Sequence, residues 1–296
     1  MVALSLLVAM AVAFLAGPSP VFGAITPSLQ SILKNTHGSM DDYWRDEPFY
    51  TGLAKGCMST EADVWLYNDT LYVGHHESAL TEDRTLESLY IKPILDILAR
   101  QNPDSPFITL PTKNGVWDTD PEQTLYFFID VKTSGHETFE AVIKALEPLR
   151  EKGYLTSVTN GKTVTNGPVT IIATGETPLE MVTQVPDRDY FFDAPLGELT
   201  DKRYADITAA VSPIASTDFE KAVGKVKPDT SPVLTDAQLK SLQSQIAAAN
   251  ERGIGARYWN TPSFPVRKRN LIWRALLQEG VMLLNADDLD AVNAFF

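Results

Sequence analysis

One cysteine, Cys57, is too few for a disulfide within the chain, so stability has to come from burial of an apolar core. Cys57 leads into an apolar run and reads as a small buried hydrophobe rather than a reactive thiol. Charge is missing from the first 23 positions, where an apolar run extends from Leu4 to Ala16 and small residues stand at Val21 and Gly23. This reads as a secretory signal peptide, residues 1–23, and as too short for a membrane span of about 20 residues. No second apolar stretch of that length follows, so stable membrane insertion is not expected. Positive charge is scarce as well: 25 Lys and Arg face 38 Asp and Glu, a net charge of −13. That balance argues against nucleic-acid binding and against electrostatic docking on anionic membranes. It leaves room for a small anionic substrate wherever a bound cation reverses the local field.

Internal repeats, low-complexity tracts and long linkers are also lacking. Residues 24–296 are expected to form one domain, a secreted or secretory-pathway monomer with a glycan on Asn68 of the Asn68-Asp69-Thr70 sequon. Short apolar runs alternate with helical patterns. Candidate strands are Ile32–Leu33, Ser59–Leu66, Leu125–Val131, Val169–Ala173, Tyr190–Asp193, Ile207–Val211, Ala256–Trp259 and Val281–Leu284, with a short extended piece at Leu71–Gly74. Phe139, Val142, Ile143, Leu146 and Leu149 mark one helical face. Thr235 and Gln238 make a capping box ahead of Leu239, Leu242 and Ile246, with Gly253 closing that helix. Ser263 is the expected cap of the next helix, which turns Leu271, Ala275 and Leu276 inward and stops at Gly280. About eight strands alternating with helices predict a single (β/α)8 TIM-type barrel, with chemistry at the C-terminal strand ends. The segment Asn102–Pro121, which precedes a strand, falls at the opposite end. A doubly wound open sheet is the alternative, but no Gly-rich phosphate loop follows the first strand.

Three clusters carry chemistry. Glu61 and Asp63, at i and i+2 of a strand, point to the same face. Two carboxylates so confined repel each other unless a cation lies between them, and hard Mg²⁺ or Ca²⁺ prefers such oxygen ligands. Asp130 and Lys132 repeat the spacing at the end of an apolar strand; the acid can complete a metal site and the lysine can meet a phosphate. His75, after Leu71-Tyr72-Val73-Gly74, shares the face of Leu71 and Val73, whereas His76 faces away. The bland readings are solvated charges, a strand-end ion pair and a structural histidine. Glycosidase carboxylates flank their bond from opposite sides, roughly 5–9.5 Å apart, which two neighbours on one strand do not match. No Gly-x-Ser-x-Gly elbow supports a serine hydrolase.

These runs resemble the fungal family named for altered inheritance of mitochondria. The matching segments are Asp42-Tyr43-Trp44-Arg45, Glu61-Ala62-Asp63-Val64-Trp65-Leu66, Leu71-Tyr72-Val73-Gly74-His75 and Phe128-Ile129-Asp130-Val131-Lys132-Thr133. Tyr258-Trp259-Asn260-Thr261-Pro262 and Leu284-Asn285-Ala286-Asp287-Asp288-Leu289 match it as well. The resemblance implies a phospholipase-C-like phosphodiesterase, related to glycerophosphodiester phosphodiesterases and sphingomyelinase D-type phospholipases. It further implies one divalent cation, Mg²⁺ or Ca²⁺, on Glu61, Asp63 and Asp130, and two histidines as general acid and base. His75 matches the second histidine, and Lys132, Trp259 and Arg45 stand as substrate-binding residues. The family's first-strand pattern places its histidines where this chain has Gly38 and Met40, and its asparagine where this chain has Asp41. His37 becomes the first catalytic histidine only with one extra loop residue. The expected activity is cleavage of a small phosphodiester or a lysophospholipid-like substrate, by water or by a hydroxyl of the substrate. Two rivals remain: a secreted non-catalytic barrel that binds a phosphate or sugar ligand, and a structural surface protein without metal.

Overall fold

The computed structural model describes residues 34–36 by their main chain, and residues 45–227 and 232–296 in full. The segment 1–23, the candidate strand Ile32–Leu33 and the loop with His37, Gly38, Met40, Asp41 and Asp42 lie outside the described residues.

The architecture is mixed α/β. Its strands in chain order are β1 (Lys34–Thr36), β2 (Cys57–Tyr67), β3 (Thr70–Val73), β4 (Leu125–Val131), β5 (Ser157–Thr159) and β6 (Thr163–Thr165). These are followed by β7 (Val169–Gly175), β8 (Phe191–Phe192), β9 (Ala194–Pro195), β10 (Ile214–Asp218), β11 (Gly255–Trp259) and β12 (Leu283–Ala286). Nine strands pair in the order β8-β7-β4-β2-β1-β12-β11-β10-β9, every pair parallel. β3 folds back antiparallel on the end of β2, and β5 with β6 forms a separate hairpin. The two ends of the nine-strand path, β8 and β9, are dipeptides separated by Asp193 alone.

Strand composition explains the layering. β4 reads Leu-Tyr-Phe-Phe-Ile-Asp-Val, apolar on both faces, as a parallel strand covered on both sides must be. Phe127, Ile129 and Val131 pack with Ala62, Val64, Ile171 and Ala173 against Ile94 and Leu98 of the helix Lys92–Gln101 and Phe139 and Val142 of the helix Gly135–Ala145. On the opposite face, Tyr126, Phe128, Ile172, Phe191, Ile214 and Leu283 form one cluster with Val158 and Val164 of the β5–β6 hairpin. This cluster joins strands far apart in the path, so that face is concave. Each such side chain contributes about 1.5–3 kcal/mol by leaving water. Among the described residues, no helix is long and apolar enough to cross a membrane.

Several expectations from sequence agree with these elements and three do not. The capping box at Thr235 and Gln238 opens the helix Asp236–Asn250, and Gly253, at φ +71°, follows its end. Ile207–Val211, expected as a strand, is a turn region in which Val211 N–H donates to Thr208 O; the strand is Ile214–Asp218. Pro213 accounts for the shift, since a residue without an N–H is tolerated at a strand's start but not inside it. Ser263 does not cap the next helix: a proline pushes the residue before it, Phe264, out of the helical region, so the helix begins at Val266 with Pro265 as its extended N-cap. Its buried face is accordingly Arg269, Ile272, Trp273 and Leu276 rather than one through Leu271.

Candidate functional site

Glu61 and Asp63 lie on the concave side of β2, and the parallel register sets Asp63 directly beside Asp130 of β4. One carboxylate oxygen from each of the three lies within 4.8 Å of the others. Glu61 and Asp63 are 2% and 0% exposed, so neither carboxylate is held by bulk water. The Asp63 Oδ1 atom is buried without any hydrogen-bond partner. An orphaned buried carboxylate oxygen costs free energy, and a divalent cation at this point would remove that cost. The donor set fits such an ion.

Two groups approach the cluster from the C-terminal ends of the strands. Lys132 Nζ donates to Asp130 Oδ2 at 2.5 Å and lies 3.6 Å from Asp63 Oδ2. His75 Nδ1 is 3.0 Å from Asp63 Oδ2. The imidazole is carried there by β3: Val64 pairs with Val73, and Gly74 N–H donates to Asp63 O at 3.1 Å. The hairpin tip is Asn68-Asp69, both at positive φ, 48° and 60°, the conformation that two-residue hairpin turns demand. Asn68 is exposed at this tip. His76 is exposed but does not face away as expected: β3 ends at Val73, the alternation lapses, and its ring lies 4.3 Å from that of His75, centroid to centroid. His136, also exposed, pairs with Glu180 at 3.3 Å.

The electrostatics follow from this crowding. Burial first, then the charges of Asp63 and Glu61, push the Asp130 carboxyl up to about 7, with Lys132 opposing. Burial draws the Lys132 ammonium down, but Asp130, Asp63 and Glu61 more than offset it, so it stands above the usual lysine range. Gly175, at φ +68°, lets β7 pass close by: a Cβ there would fall 2.0 Å from Asp130 Oδ1.

Sequence reasoning missed the layer beneath. Arg257, on β11 and 1% exposed, donates through Nη2 to Glu61 Oε2 and to Asn285 Oδ1. Its guanidinium lies over the Phe128 ring, 4.4 Å from the centroid. Asp193, at the break between β8 and β9, places Oδ2 3.9 Å from Arg257 Nη1, while its Oδ1 is a buried orphan. Burial pushes the Asp193 carboxyl up to about 7 against the pull of Arg257. The signal was available: a lone charge inside an apolar strand, Gly-Ala-Arg-Tyr-Trp, has to face a counter-charge. Trp259 ends β11 on the face of Arg257, half-buried. Arg45 is set to the β12 side, where Nη2 donates to Asp287 O at 3.3 Å. His37 lies outside the described residues, so Glu61, Asp63, Asp130, Lys132 and His75 are the expected residues brought together here.

No solved structure matches the chain. The family model described as an AIM6-like phosphodiesterase domain matches residues 27–193. Altered inheritance of mitochondria protein 6 homolog of Arthroderma benhamiae is 49% identical over 94% of this chain and 89% of its own length. Altered inheritance of mitochondria protein 6 of Eremothecium gossypii is 34% identical, covering 89% and 70%. The protein of that name from Zygosaccharomyces rouxii is 32% identical, covering 93% and 72%. With the acidic cluster and its lysine inside the matched region, the chain belongs to the fungal altered inheritance of mitochondria protein 6 family, whose domain is of phosphodiesterase type.

Proposed function

We propose that this protein is a metal-dependent phosphoric diester hydrolase, or an intramolecular transferase, built on a single (β/α)8 barrel and acting on a glycerophosphodiester or phospholipid-like substrate. The observation that carries this reading is the buried triad Glu61, Asp63 and Asp130 with Lys132 and His75 against it. The barrel reading takes β8 and β9 as one strand interrupted at Asp193, which pairs with β7 on one side and β10 on the other. Contacts across the concave face, Arg257 to Glu61 and Phe128, support that closure.

Glu61, Asp63 and Asp130 would hold a single Mg²⁺ or Ca²⁺. The ion, when bound, supplies Lewis-acid polarisation of a phosphodiester oxygen. Lys132 meets the phosphate charge as it grows in the transition state, a preorganised contact in a site with little water. His75 exchanges a proton with the attacking or leaving oxygen, its ring oriented by Asp63. His37 is proposed as the opposite acid–base partner, on the resemblance alone. Trp259 offers a wall beside the substrate and Arg45 a cation at the β1–β12 side. Attack by water gives hydrolysis; attack by a substrate hydroxyl gives a cyclic phosphate. The protein is further proposed to be monomeric, to travel the secretory pathway with a glycan on Asn68, and to bind neither nucleic acid nor the membrane interior.

Elemental analysis of purified protein, then a phosphodiester panel with the metal found, tests this reading. Turnover that EDTA abolishes and Mg²⁺ or Ca²⁺ restores is expected. Bound metal without turnover on any diester would favour a non-catalytic ligand-binding barrel, and absence of metal binding would defeat the metal site altogether.

A further inference from the structure

We propose that Arg257 is a positioning residue for the cation seat, fixing the Glu61 carboxylate from the side that substrate cannot reach. This rests on the metal reading of Glu61, Asp63 and Asp130.

The guanidinium is already committed. Nε donates to Asn285 Oδ1 at 3.2 Å, Nη2 to Asn285 Oδ1 at 2.8 Å and to Glu61 Oε2, and Nη1 to Ser216 Oγ at 3.3 Å. Asp193 lies on the Nη1 side and the Phe128 ring covers one face. At 1% exposure, Arg257 has no route to a phosphate in the mouth, so its action has to pass through Glu61.

Packing alone is a poor reason for a charge here. Phe128, Ile172 and Leu283 fill the neighbouring space with apolar side chains, and a buried ion pair is rarely more stabilising than such a filling. What arginine adds is direction: a guanidinium tied to β10 by Ser216 and to β12 by Asn285 holds one oxygen of a carboxylate on β2 through Nη2. Partners that orient a metal-ligating side chain typically govern affinity by about 10–100-fold. Arg257 and Lys132 also offset two of the three carboxylate charges, one from below and one from the mouth.

The test is calorimetric titration of Mn²⁺ into the wild type, Arg257→Lys, Arg257→Met and Asn285→Ala, beside metal-free melting temperatures. Arg257→Met is expected to weaken Mn²⁺ binding by about 10–100-fold. Arg257→Lys should recover part of it, since lysine keeps a donor for Glu61 but loses the ties to Asn285 and Ser216 that hold it in place. Asn285→Ala leaves the arginine in place, unties it from β12 and should weaken binding several-fold, which keeps the test open if Arg257→Met fails to fold. Variants that melt lower yet bind Mn²⁺ as tightly as the wild type, or more tightly, overturn the proposal and return Arg257 to a structural ion pair. A wild type that binds no Mn²⁺ is a different failure, that of the metal reading itself.

Discussion

Replacing Gly175 with alanine tests whether the closeness of β7 to Asp130 is a requirement of the site. The added Cβ would lie 2.0 Å from Asp130 Oδ1, 2.5 Å from Val131 O and 3.0 Å from Val131 N, where ordinary contact begins at 3.4 Å. The Asp130 carboxylate would therefore have to retreat by about 1.4 Å, from 2.0 to 3.4 Å. The two backbone atoms have less freedom to move. Such a retreat breaks the 2.5 Å contact with Lys132, a charge-assisted bond of about 1.5–3 kcal/mol. The left-handed backbone at φ +68° adds about 1–2 kcal/mol for a residue with a Cβ. Together these predict a loss of roughly 2.5–5 kcal/mol in urea-derived stability. Mn²⁺ affinity should fall by at least about tenfold, because one of three ligands is displaced. A Gly175→Ala protein with wild-type stability and wild-type affinity would refute the geometry.

Other outcomes are open to simpler measurement. Asp130 and Asp193 both bind their protons more tightly folded than unfolded, near 7 rather than 3.8, so metal-free stability should fall as pH rises from about 4 to about 7. Melting in EDTA at pH 5 and pH 7.5 checks the sign, and saturating Mg²⁺ should remove the Asp130 share of the slope; a midpoint rising over this interval contradicts it. Lys132→Ala should lower turnover by about 10²–10³ in protein that remains folded, and unaltered kinetics would leave Lys132 as a strand-end ion pair. His75→Ala should cost at least about a hundredfold in turnover with metal binding intact. His76→Ala and His136→Ala, both at exposed side chains without a contact to the carboxylates, should stay within a few fold.

How much of this could be read in advance depended on the range of the signal. Glu61, Asp63, Asp130 and Lys132 were legible because two-residue spacing on a strand is local, and the parallel register of β2 with β4 brought the pairs together as expected. Ile207–Val211 misled because its apolar residues do become buried, Ile207 and Ala210 among them, without joining a ladder. Pattern reports burial, and burial alone does not distinguish a packed turn from a strand. The β5–β6 hairpin was missed even though Asn160-Gly161, both at positive φ, marks its turn. Arg257 and Asp193 went unread as site residues because their partners lie on other strands, and one sequence carries no sign of which charges will meet across a fold.

The candidate site is assembled over two very different lengths of chain. His75 reaches Asp63 across 12 positions through a single hairpin, whereas Arg257 reaches Glu61 across 196. Loop closure of the first kind is fast and can form while most of the chain is still unstructured. The second has to wait until β11 docks, since a distant contact must first overcome the closure entropy of the long chain between its partners. The hairpin can thus bring a histidine to a carboxylate early in folding, before the arginine ties down the neighbouring ligand. On this ordering, tight cation binding is a late event, and its appearance during refolding would time the moment at which the far end of the chain locks into place.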